Sequence, residues 1–215
     1  MTNSVLQNVG QQASLSEIPA QTDSNMHSPR CRFCDAELEN VVVNLGMSPP
    51  CQNIVREEDL NQGETYYPLK VYVCGRCYLV QLPAHLSGEA IFDEHYAYFS
   101  SYSDSWLAHA QLYVHQVIDR FALDADSRVV ELASNDGYLL QYFVQQGIPC
   151  QGVEPAWQCA QRARERGVPT LNEFFGRATA GKIVQEHGQA NLLLGNNVLA
   201  HVPDVNDFVA GMKTL

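Results

Sequence analysis

The sequence predicts an α/β protein in which a parallel, doubly wound sheet follows a smaller β-rich region that binds metal. Two observations predict this class. From residue 128 onward, short apolar runs alternate with helical patterns, which is typical of parallel strands joined by helices. Ahead of that region, two pairs of cysteines share the C-x-x-C spacing of small zinc-binding modules.

The sheet begins with the apolar run Val129–Leu132, which leads into a turn of small residues at 133–137. A helix should follow and end at Gly147, and a second strand at 150–153 ends in Glu154. Strand, tight turn, helix, strand and acid make half of a Rossmann-like nucleotide-binding sheet, whose ligand crevice lies beyond the carboxyl ends of the strands. Four residues of the first helix are predicted to face the core: Leu139, Leu140, Phe143 and Val144.

The alternation continues to the end of the chain. We expect helices at 155–165, at 177–186 and from about residue 204, with strands at 168–171 and 190–194 between them. The 190–194 run is apolar throughout, as in strands that are buried between helices. The helix at 155–165 should turn four small residues inward: Ala156, Cys159, Ala160 and Ala163.

Before the sheet, a long helix is predicted from Ser103 or Asp104 to about Phe121, with one apolar stripe at helical spacing. His109 and His115 lie off this stripe, so we interpret them as surface residues. The stripe predicts the buried face: Trp106, Ala110, Tyr113, Val114, Val117 and Phe121.

The composition narrows the classes of function. The formal net charge is −11, so no basic surface for nucleic acid is expected. No apolar run approaches the roughly 20 residues of a membrane span. The polar segment 1–29 lacks the basic start and apolar centre of a signal peptide, so it is expected to be a disordered tail. Seven cysteines without a secretion signal indicate a reducing, cytoplasmic location and metal binding rather than disulfides.

The two cysteine pairs are Cys31 with Cys34 and Cys74 with Cys77. Together they can place four thiolates tetrahedrally around a structural zinc ion, with no position left open for catalysis. The other interpretation is two unrelated pairs of redox-active or free cysteines. Strands are predicted around the pairs at 41–43, 69–73 and 78–82. Three further cysteines are predicted to be small, buried apolar residues: Cys51, Cys150 and Cys159.

The segment 87–103 is unusually rich in aromatic and hydroxyl side chains. Aromatic rings with hydroxyl ends suit a sugar or a nucleotide, to which they offer stacking and hydrogen bonds. They equally suit a plug that packs the joint between the cysteine-rich region and the sheet. Composition alone leaves both interpretations open. The residues concerned are Tyr96, Tyr98, Phe99, Ser100, Ser101 and Tyr102.

The turn at 133–137 indicates what kind of ligand the crevice binds. Dinucleotide-binding turns carry G-x-G-x-x-G, but Ala133 and Asn135 occupy the first two of these positions and only Gly137 is a glycine. A pyrophosphate-binding turn is therefore poorly supported. A ligand without phosphates needs fewer glycines and fewer backbone N–H donors from the turn.

Acidic residues around the turn point the same way. Glu131 and Asp136 bring negative charge close to it, which repels phosphate and suits an ammonium or sulfonium group. Glu154, at the end of the second strand, can accept both hydroxyls of a ribose. Together these features favour S-adenosylmethionine over NAD, and an NAD-dependent dehydrogenase stays open as a further alternative.

A set of longer motifs extends along residues 30–215. They are the two cysteine pairs, P-P-C-Q-N at 49–53, Y-x-Y-x-S-S at 96–101, E-L-A-S-N-D-G-Y-L-L at 131–140, G-V-E-P at 152–155, F-F at 174–175 and N-V-L-A-H-V-P-D at 197–204. In combination these motifs resemble the sugar C-methyltransferases of deoxysugar biosynthesis. The resemblance implies a zinc-binding domain at 30–86, an aromatic linker and helix at 87–122, and the first part of a class I methyltransferase domain at 123–215.

The resemblance also implies site residues. The methionine portion of S-adenosylmethionine would lie along 131–137, the ribose at Glu154 and the adenine near 172–175. The implied cofactor ligands are Glu131, Ala133, Ser134, Asn135, Asp136, Gly137, Glu154, Pro155, Asn172, Phe174, Phe175, Asn196 and Asn197. The implied substrate contacts are Tyr96, Tyr98, Ser100, Tyr102 and His201, and the implied zinc ligands are the four paired cysteines.

Members of this family methylate carbon 3 of a nucleotide-linked 4-keto-deoxyhexose. A proton must leave a carbon next to a carbonyl, and the enolate then attacks the sulfonium methyl, so a base is required. His201 is a candidate base or enolate donor because imidazole titrates near neutral pH; the alternative is that it caps the last helix beside Pro203. The family's principal acid–base cluster, a Tyr/Glu/His motif, lies beyond residue 215.

Four predicted strands are fewer than the seven of a class I methyltransferase sheet, ordered 3-2-1-4-5-7-6 in the family. We therefore expect an incomplete fragment that binds S-adenosylmethionine weakly and does not turn over, with the 190–194 strand as an uncovered edge. The alternative function is a zinc-ribbon binding module fused to a degenerate, non-catalytic sheet.

Overall fold

A computed structural model describes residues 28–51, 54–93 and 96–215. Nearly all of the predicted tail at 1–29 lies outside these residues, as do Gln52 and Asn53 of the P-P-C-Q-N motif and Glu94 and His95 of the aromatic segment. In the described part of the chain, no helix is long and apolar enough to cross a membrane.

The first part of the chain forms a three-stranded antiparallel sheet in the order β1-β2-β3. Its strands are β1 (Asn40–Ser48), β2 (Tyr67–Val73) and β3 (Val80–Gln81), which confirms the three predicted strands. Most of β1 is exposed, and among the described residues the buried apolar cluster of this region is small: Cys31, Leu38 and Cys74, with a few half-buried side chains packed against them. Because so little apolar surface is buried, a bound metal would be a principal source of stability here.

A short helix, α1 (Gly88–Ile91), and the long helix α2 (Asp104–Phe121) lead to the second sheet. Ser103 caps α2, because its hydroxyl accepts a hydrogen bond from the Trp106 amide at 3.3 Å. The centre of the predicted stripe is buried at Ala110, Val114 and Val117. The two ends of the stripe are not buried.

Trp106 is 41% exposed and Phe121 is 54% exposed, so the prediction that both belong to the buried face was wrong. A helix of 18 residues is longer than the four-residue strand β4 that it covers, and its ends extend past the sheet. His109 and His115 are exposed, as predicted.

The second sheet is parallel and has the strand order β6-β5-β4-β7. The strands are β4 (Val129–Leu132), β5 (Cys150–Val153), β6 (Thr170–Leu171) and β7 (Leu192–Leu194). Counted within this sheet the order is 3-2-1-4, which is the order of the first four strands of a doubly wound nucleotide-binding sheet. All four predicted strands are confirmed.

Helices cover both faces of this sheet, and side chains of β4 point to both faces. Val129 packs into the cluster with α2 and its neighbours, whereas Val130 and Leu132 pack into the cluster on the opposite face. The four remaining helices are α3 (Leu140–Gln145), α4 (Trp157–Glu165), α5 (Arg177–His187) and α6 (Val205–Thr214).

The four small residues predicted to face inward near α4 are all buried. Val144 of α3 was predicted to face the core but is 38% exposed, because the buried face of α3 is formed by Leu140 and Phe143. Among the unpaired cysteines, Cys159 is buried, Cys150 is half-buried and Cys51 is exposed, so the prediction of a buried side chain was wrong for Cys51.

Candidate functional site

The four paired cysteines converge on one point. The sulfur atoms of Cys31, Cys34, Cys74 and Cys77 all lie within 4.8 Å of one another. The closest approaches are 3.5 Å between Cys31 and Cys77 and 3.6 Å between Cys34 and Cys74. Sulfurs bound tetrahedrally to zinc at about 2.3 Å are separated by about 3.8 Å, so the cluster fits the predicted structural zinc.

The two cysteine knuckles are built by the same turn. Asp35 and Tyr78, which follow the second cysteine of each pair, have φ values of 59° and 62°. Their amides donate to the carbonyl oxygens of Cys31 and Cys74 at 2.9 and 3.0 Å. The left-handed residue is therefore the one after each pair, whereas Gly75, inside the second pair, does not adopt a positive φ.

Nearby N–H groups lower the pKa of two of the four thiols, whereas burial and the neighbouring cysteines raise that of Cys77. The amides of Cys77 and Arg76 point at the Cys74 sulfur at 3.5 and 3.4 Å and lower the pKa of Cys74. Burial alone would raise the pKa of Cys31, but the Cys34 amide and the Gln81 side chain outweigh it and lower that pKa to about 6. Thiolates are the form that binds zinc.

The turn after β4 lies at the carboxyl edge of the parallel sheet. Ala133, Asn135 and Gly137 all have positive φ, at 54°, 50° and 75°, so the chain reverses in alternating steps. Ser134 is fully buried and points toward β5, where a Cβ on Gly152 would collide with its hydroxyl. Of the predicted cofactor ligands, Ser134 therefore packs beneath the turn.

Asn135 and Asp136 turn their side chains to residues 98–101, which we call the strap. Asn135 Oδ1 accepts from the Ser100 amide at 2.8 Å, and its Nδ2 donates to the Tyr98 carbonyl at 3.0 Å. The Ser101 hydroxyl donates to Asp136 Oδ2. The turn and the strap thus form one hydrogen-bonded unit.

Arg166 completes this unit. Its Nη1 pairs with Asp136 Oδ2 at 2.8 Å and donates to the Asp136 carbonyl at 2.7 Å, while Nη2 donates to the Ser101 hydroxyl at 2.6 Å. Asp136 is fully buried. Its Oδ2 is paired with Arg166, whereas its Oδ1 has no hydrogen-bond partner among the described residues.

The aromatic segment crosses the carboxyl ends of three strands in turn. Phe92 packs edge-on against Phe174, which follows β6, at 6.4 Å between ring centroids. Burial raises the pKa of Tyr96 to about 12, and Cys159 and then Glu154, which follows β5, raise it further from close by. The strap then meets the turn after β4. These contacts give the segment a packing role, one of the two interpretations left open by composition.

The same segment also forms an open groove of about 460 Å³. Three of the predicted substrate residues, Tyr98, Ser100 and Tyr102, line it together with Trp106. Tyr102 is 75% exposed, so its ring is available to a ligand. Tyr96 lies apart and lines a second groove with Pro50 and Cys51.

Glu131, in β4, is one of three buried acids at this edge of the sheet, with Asp136 and Glu154. Its side chain has no exposure, Oε1 accepts from Asn196 Nδ2 at 3.2 Å, and Oε2 has no hydrogen-bond partner among the described residues. Burial raises the pKa of Glu131 to about 8, although Asn196 partly offsets this. The nearby Tyr138 hydroxyl lowers the pKa of Glu131 slightly. An unpartnered buried carboxylate oxygen fits an incoming cation or N–H donor.

Glu154 closes the turn at the end of β5. Its Oε2 accepts from the Asn135 amide at 2.9 Å and its Oε1 from the Ala156 amide at 2.8 Å. Burial raises its pKa to about 7 against the effect of these two donors. A carboxylate has about four acceptor positions, so two stay free for hydroxyl donors such as those of a ribose. Asn172 donates to the carbonyls of Glu154 and Pro155, both at 2.8 Å, and ties β6 to β5.

The remaining predicted residues lie around this edge. Phe174 is 42% exposed, whereas Phe175 packs on Phe208 in the core with ring centroids 5.2 Å apart. Asn197 has a φ of 52° in the loop after β7. His201 is exposed in a short 3-10 turn, Leu199–His201. It does not cap α6, because Asp204 does so by accepting from the Asp207 amide at 2.9 Å.

Sequence reasoning missed three residues of this site. Arg166 and Cys159 hold the strap, the latter by directing its thiol to the Tyr98 carbonyl at 3.4 Å, and Tyr138 adjoins Glu131 and stacks on Trp106 at 6.0 Å. Tyr138 lies inside the E-L-A-S-N-D-G-Y-L-L motif, which was the available signal. Arg166 had none, because it ends an ordinary amphipathic helix.

Taken together, a parallel sheet in the order 3-2-1-4 with buried acids at the ends of its first two strands defines a doubly wound α/β protein with a nucleotide-type crevice. Residues 31–92 match the family Methyltransf_13, described as "Putative zinc binding domain". The chain is 35% identical over 185 residues to the C-methyltransferase NovU of Streptomyces niveus, a match that covers 86% of this chain. These two matches confirm the resemblance to C-methyltransferases.

The chain spans 44% of the length of this curated relative. Among solved structures it is similar to magnesium protoporphyrin IX methyltransferase from Synechocystis PCC 6803, with bound S-adenosylmethionine, at 16% identity and a TM-score of 0.39. That alignment covers 52% of this chain and 56% of the other. The fold assignment rests on the strand order and register described above.

Proposed function

We propose that this chain is the zinc-binding and cofactor-binding part of an S-adenosylmethionine-dependent C-methyltransferase that acts on a nucleotide-linked keto-deoxysugar at C3, through an enolate. The similarity to a C-methyltransferase over 86% of the chain supports the reaction class. The observation that carries the cofactor is the unpartnered, fully buried Oε2 atom of Glu131 at the carboxyl end of β4.

In this proposal the crevice binds the cofactor with residues from three strand ends. S-adenosylmethionine supplies an electrophilic methyl group on a sulfonium. Glu131 accepts from the ammonium of its methionine portion, and Glu154 accepts from the ribose hydroxyls with the lone pairs that its two amide contacts leave free. The exposed ring of Phe174 offers a face to the adenine.

The substrate side rests on the strap and on His201. Tyr98 and Tyr102 present aromatic and hydroxyl surface in an open groove, which suits a nucleotide-linked sugar. His201 follows β7, so it lies at the same carboxyl edge of the sheet as the turn, and it removes the proton next to the sugar carbonyl. The zinc is structural because all four of its ligands are cysteines.

The setting in the cell is part of the same proposal. None of the seven cysteines lies in a disulfide, which supports a reducing, cytoplasmic compartment. The net charge of −11 disfavours nucleic acid as a partner.

Calorimetric titration of the zinc-loaded chain with S-adenosylhomocysteine and, separately, with NADH tests the cofactor. We expect binding of S-adenosylhomocysteine and none of NADH. A preference for NADH would favour a dehydrogenase, and no binding of either would favour a non-catalytic sheet fused to a zinc module.

Proton exchange tests the role of His201. With S-adenosylhomocysteine and a nucleotide-linked 4-keto-deoxyhexose in D₂O, a version of the chain that carries the remaining strands of the methyltransferase sheet should exchange the C3 proton, seen as loss of its NMR signal. His201→Asn should slow this exchange by about a hundredfold, the usual range for a lost general base. His109→Asn, another exposed histidine, is the control. Equal rates for the two variants would exclude His201 as the base.

A further inference from the structure

The first zinc knuckle touches the chain next to His201. Arg32, between the zinc ligands Cys31 and Cys34, donates from Nη1 to the Val202 carbonyl at 2.9 Å and from Nη2 to the Leu82 carbonyl at 2.9 Å. The flat, forked guanidinium spans two carbonyls that a lysine could not bridge in the same way.

The backbone of the same arginine is linked to the metal cluster through Gln81. Its amide donates to Gln81 Oε1 at 2.9 Å, and Gln81 Nε2 donates to the Cys31 sulfur at 3.1 Å. Gln81 is only 5% exposed, so these bonds are shielded from water. A short chain of hydrogen bonds therefore runs from a zinc ligand to the carbonyl next to His201.

A second contact holds the far side of the same loop. Asn206, in the first turn of α6, donates from Nδ2 to the Phe33 carbonyl at 2.9 Å. The knuckle thus forms hydrogen bonds to residues 202 and 206, which lie on either side of Pro203. On its other side, Val202 packs into the core cluster beneath the sheet. The turn that carries His201 is held between the sheet core and the zinc knuckle.

We infer that the zinc module positions His201, and that Arg32 is the positioning residue that transmits the order of the metal site to residues 199–206. This inference rests on the proposed function for the role of His201, but its structural content does not. Metal binding fixes the Cys31–Cys34 turn, Arg32 and Asn206 carry that order to the loop, and the loop holds the imidazole at the edge of the crevice.

Hydrogen exchange measured by mass spectrometry on zinc-loaded protein tests this. The amides of His201 and Phe208 have backbone hydrogen bonds that report on the loop. Arg32→Ala should speed exchange in the 199–208 peptide by about fivefold or more while zinc content stays at one equivalent. Arg30→Ala is the matched control, because Arg30 pairs with Asp35 on the surface at 2.7 Å. Unchanged exchange in Arg32→Ala would overturn the inference.

Chelation supplies the second arm. Removing zinc from the wild-type chain should speed hydrogen exchange in the 199–208 peptide as much as Arg32→Ala does. Removing zinc from Arg32→Ala should speed this exchange little further. If Arg32→Ala fails to retain zinc, Asn206→Ala replaces it, since Asn206 lies outside the knuckle, and it should expose the loop with zinc still bound. Neither experiment contains cofactor or sugar, so failure here is separate from failure of S-adenosylhomocysteine to bind.

Discussion

The zinc cluster and the turn after β4 are both short motifs, but they use their side chains in opposite ways. In the cluster, four cysteine sulfurs converge within 4.8 Å on one centre, so the motif residues are themselves the ligands. In the turn, Ser134 points into the sheet, and Asn135 and Asp136 reach for the strap. The side chains of the turn are thus occupied by contacts within the fold, whereas Glu131 and Glu154 at the strand ends keep acceptor positions without a partner in the described residues. A motif can therefore locate a site although only some of its residues are available to a ligand.

Removing a zinc ligand should give the largest effect. Cys74→Ser is expected to abolish bound zinc and to unfold the antiparallel region, because structural zinc contributes on the order of 10 kcal/mol to small modules with little core. Metal analysis and circular dichroism measure both. Cys51→Ser is the control, since Cys51 is exposed and outside the cluster. Full zinc content in Cys74→Ser would show that Cys74 is not a zinc ligand.

Breaking the ion pair beneath the strap should come next. Arg166→Gln leaves the fully buried Asp136 carboxylate without its cation, which typically costs about 3 kcal/mol or more of unfolding free energy. Arg162→Gln removes a surface pair with Glu165 on the same helix, whose side chains are both 53% exposed, and should cost less than about 1 kcal/mol. Urea denaturation measures the two. Equal losses would mean that Asp136 faces solvent.

Glu131→Gln should stabilise the protein, and more so at high pH. The ordinary pKa of 4.5 is raised to about 8 in the fold, so the folded state keeps a proton that the unfolded chain loses between these values. Wild-type stability therefore falls as pH rises through this window, and the variant escapes that loss. We expect the variant to gain about 2 kcal/mol at pH 9 and little at pH 5, because the amide also lacks a full set of partners.

Thermal unfolding at both pH values measures this difference. Glu165→Gln, an exposed glutamate, should show no such pH dependence. A pH-independent effect of Glu131→Gln would show that its carboxylate is solvated.

Asn135→Gly should give the smallest effect. Glycine removes both hydrogen bonds to the strap, worth about 1 kcal/mol each, but it adopts the left-handed backbone of this position without strain, so we expect a net loss of about 1 kcal/mol. Exchange at the Ser100 amide should speed up. Asn197→Gly is matched to it, because Asn197 is also left-handed and, in the described parts of the chain, makes no hydrogen bond to the strap. An unchanged exchange rate of the Ser100 amide in Asn135→Gly would show that Asn135 does not hold the strap.

The sequence predicts this fold well where the signal is local. The runs that form β4 and β5 and the spacing of the two cysteine pairs depend on neighbouring residues, and each was assigned correctly. Strands β6 and β7 are shorter than predicted, because their length depends on which residues find a partner strand.

The candidate site is less predictable because its contacts join distant segments. Arg166 meets Ser101 across 65 positions, and Arg32 meets Val202 across 170. No periodicity or spacing marks such pairs. Trp106 fits the helical stripe but lies where α2 extends beyond the sheet, so helical phase alone could not reveal its exposure.

The central claim is that Glu131 is the charge partner of the cofactor, and calorimetry with S-adenosylhomocysteine across pH tests it most directly. A cationic group binds the ionised carboxylate, so wild-type affinity should rise by about tenfold between pH 6.5 and 8, as the pKa of about 8 implies. Glu131→Gln should bind weakly with no such rise. Equal affinity in the variant, or a wild-type affinity that does not change with pH, would contradict the claim.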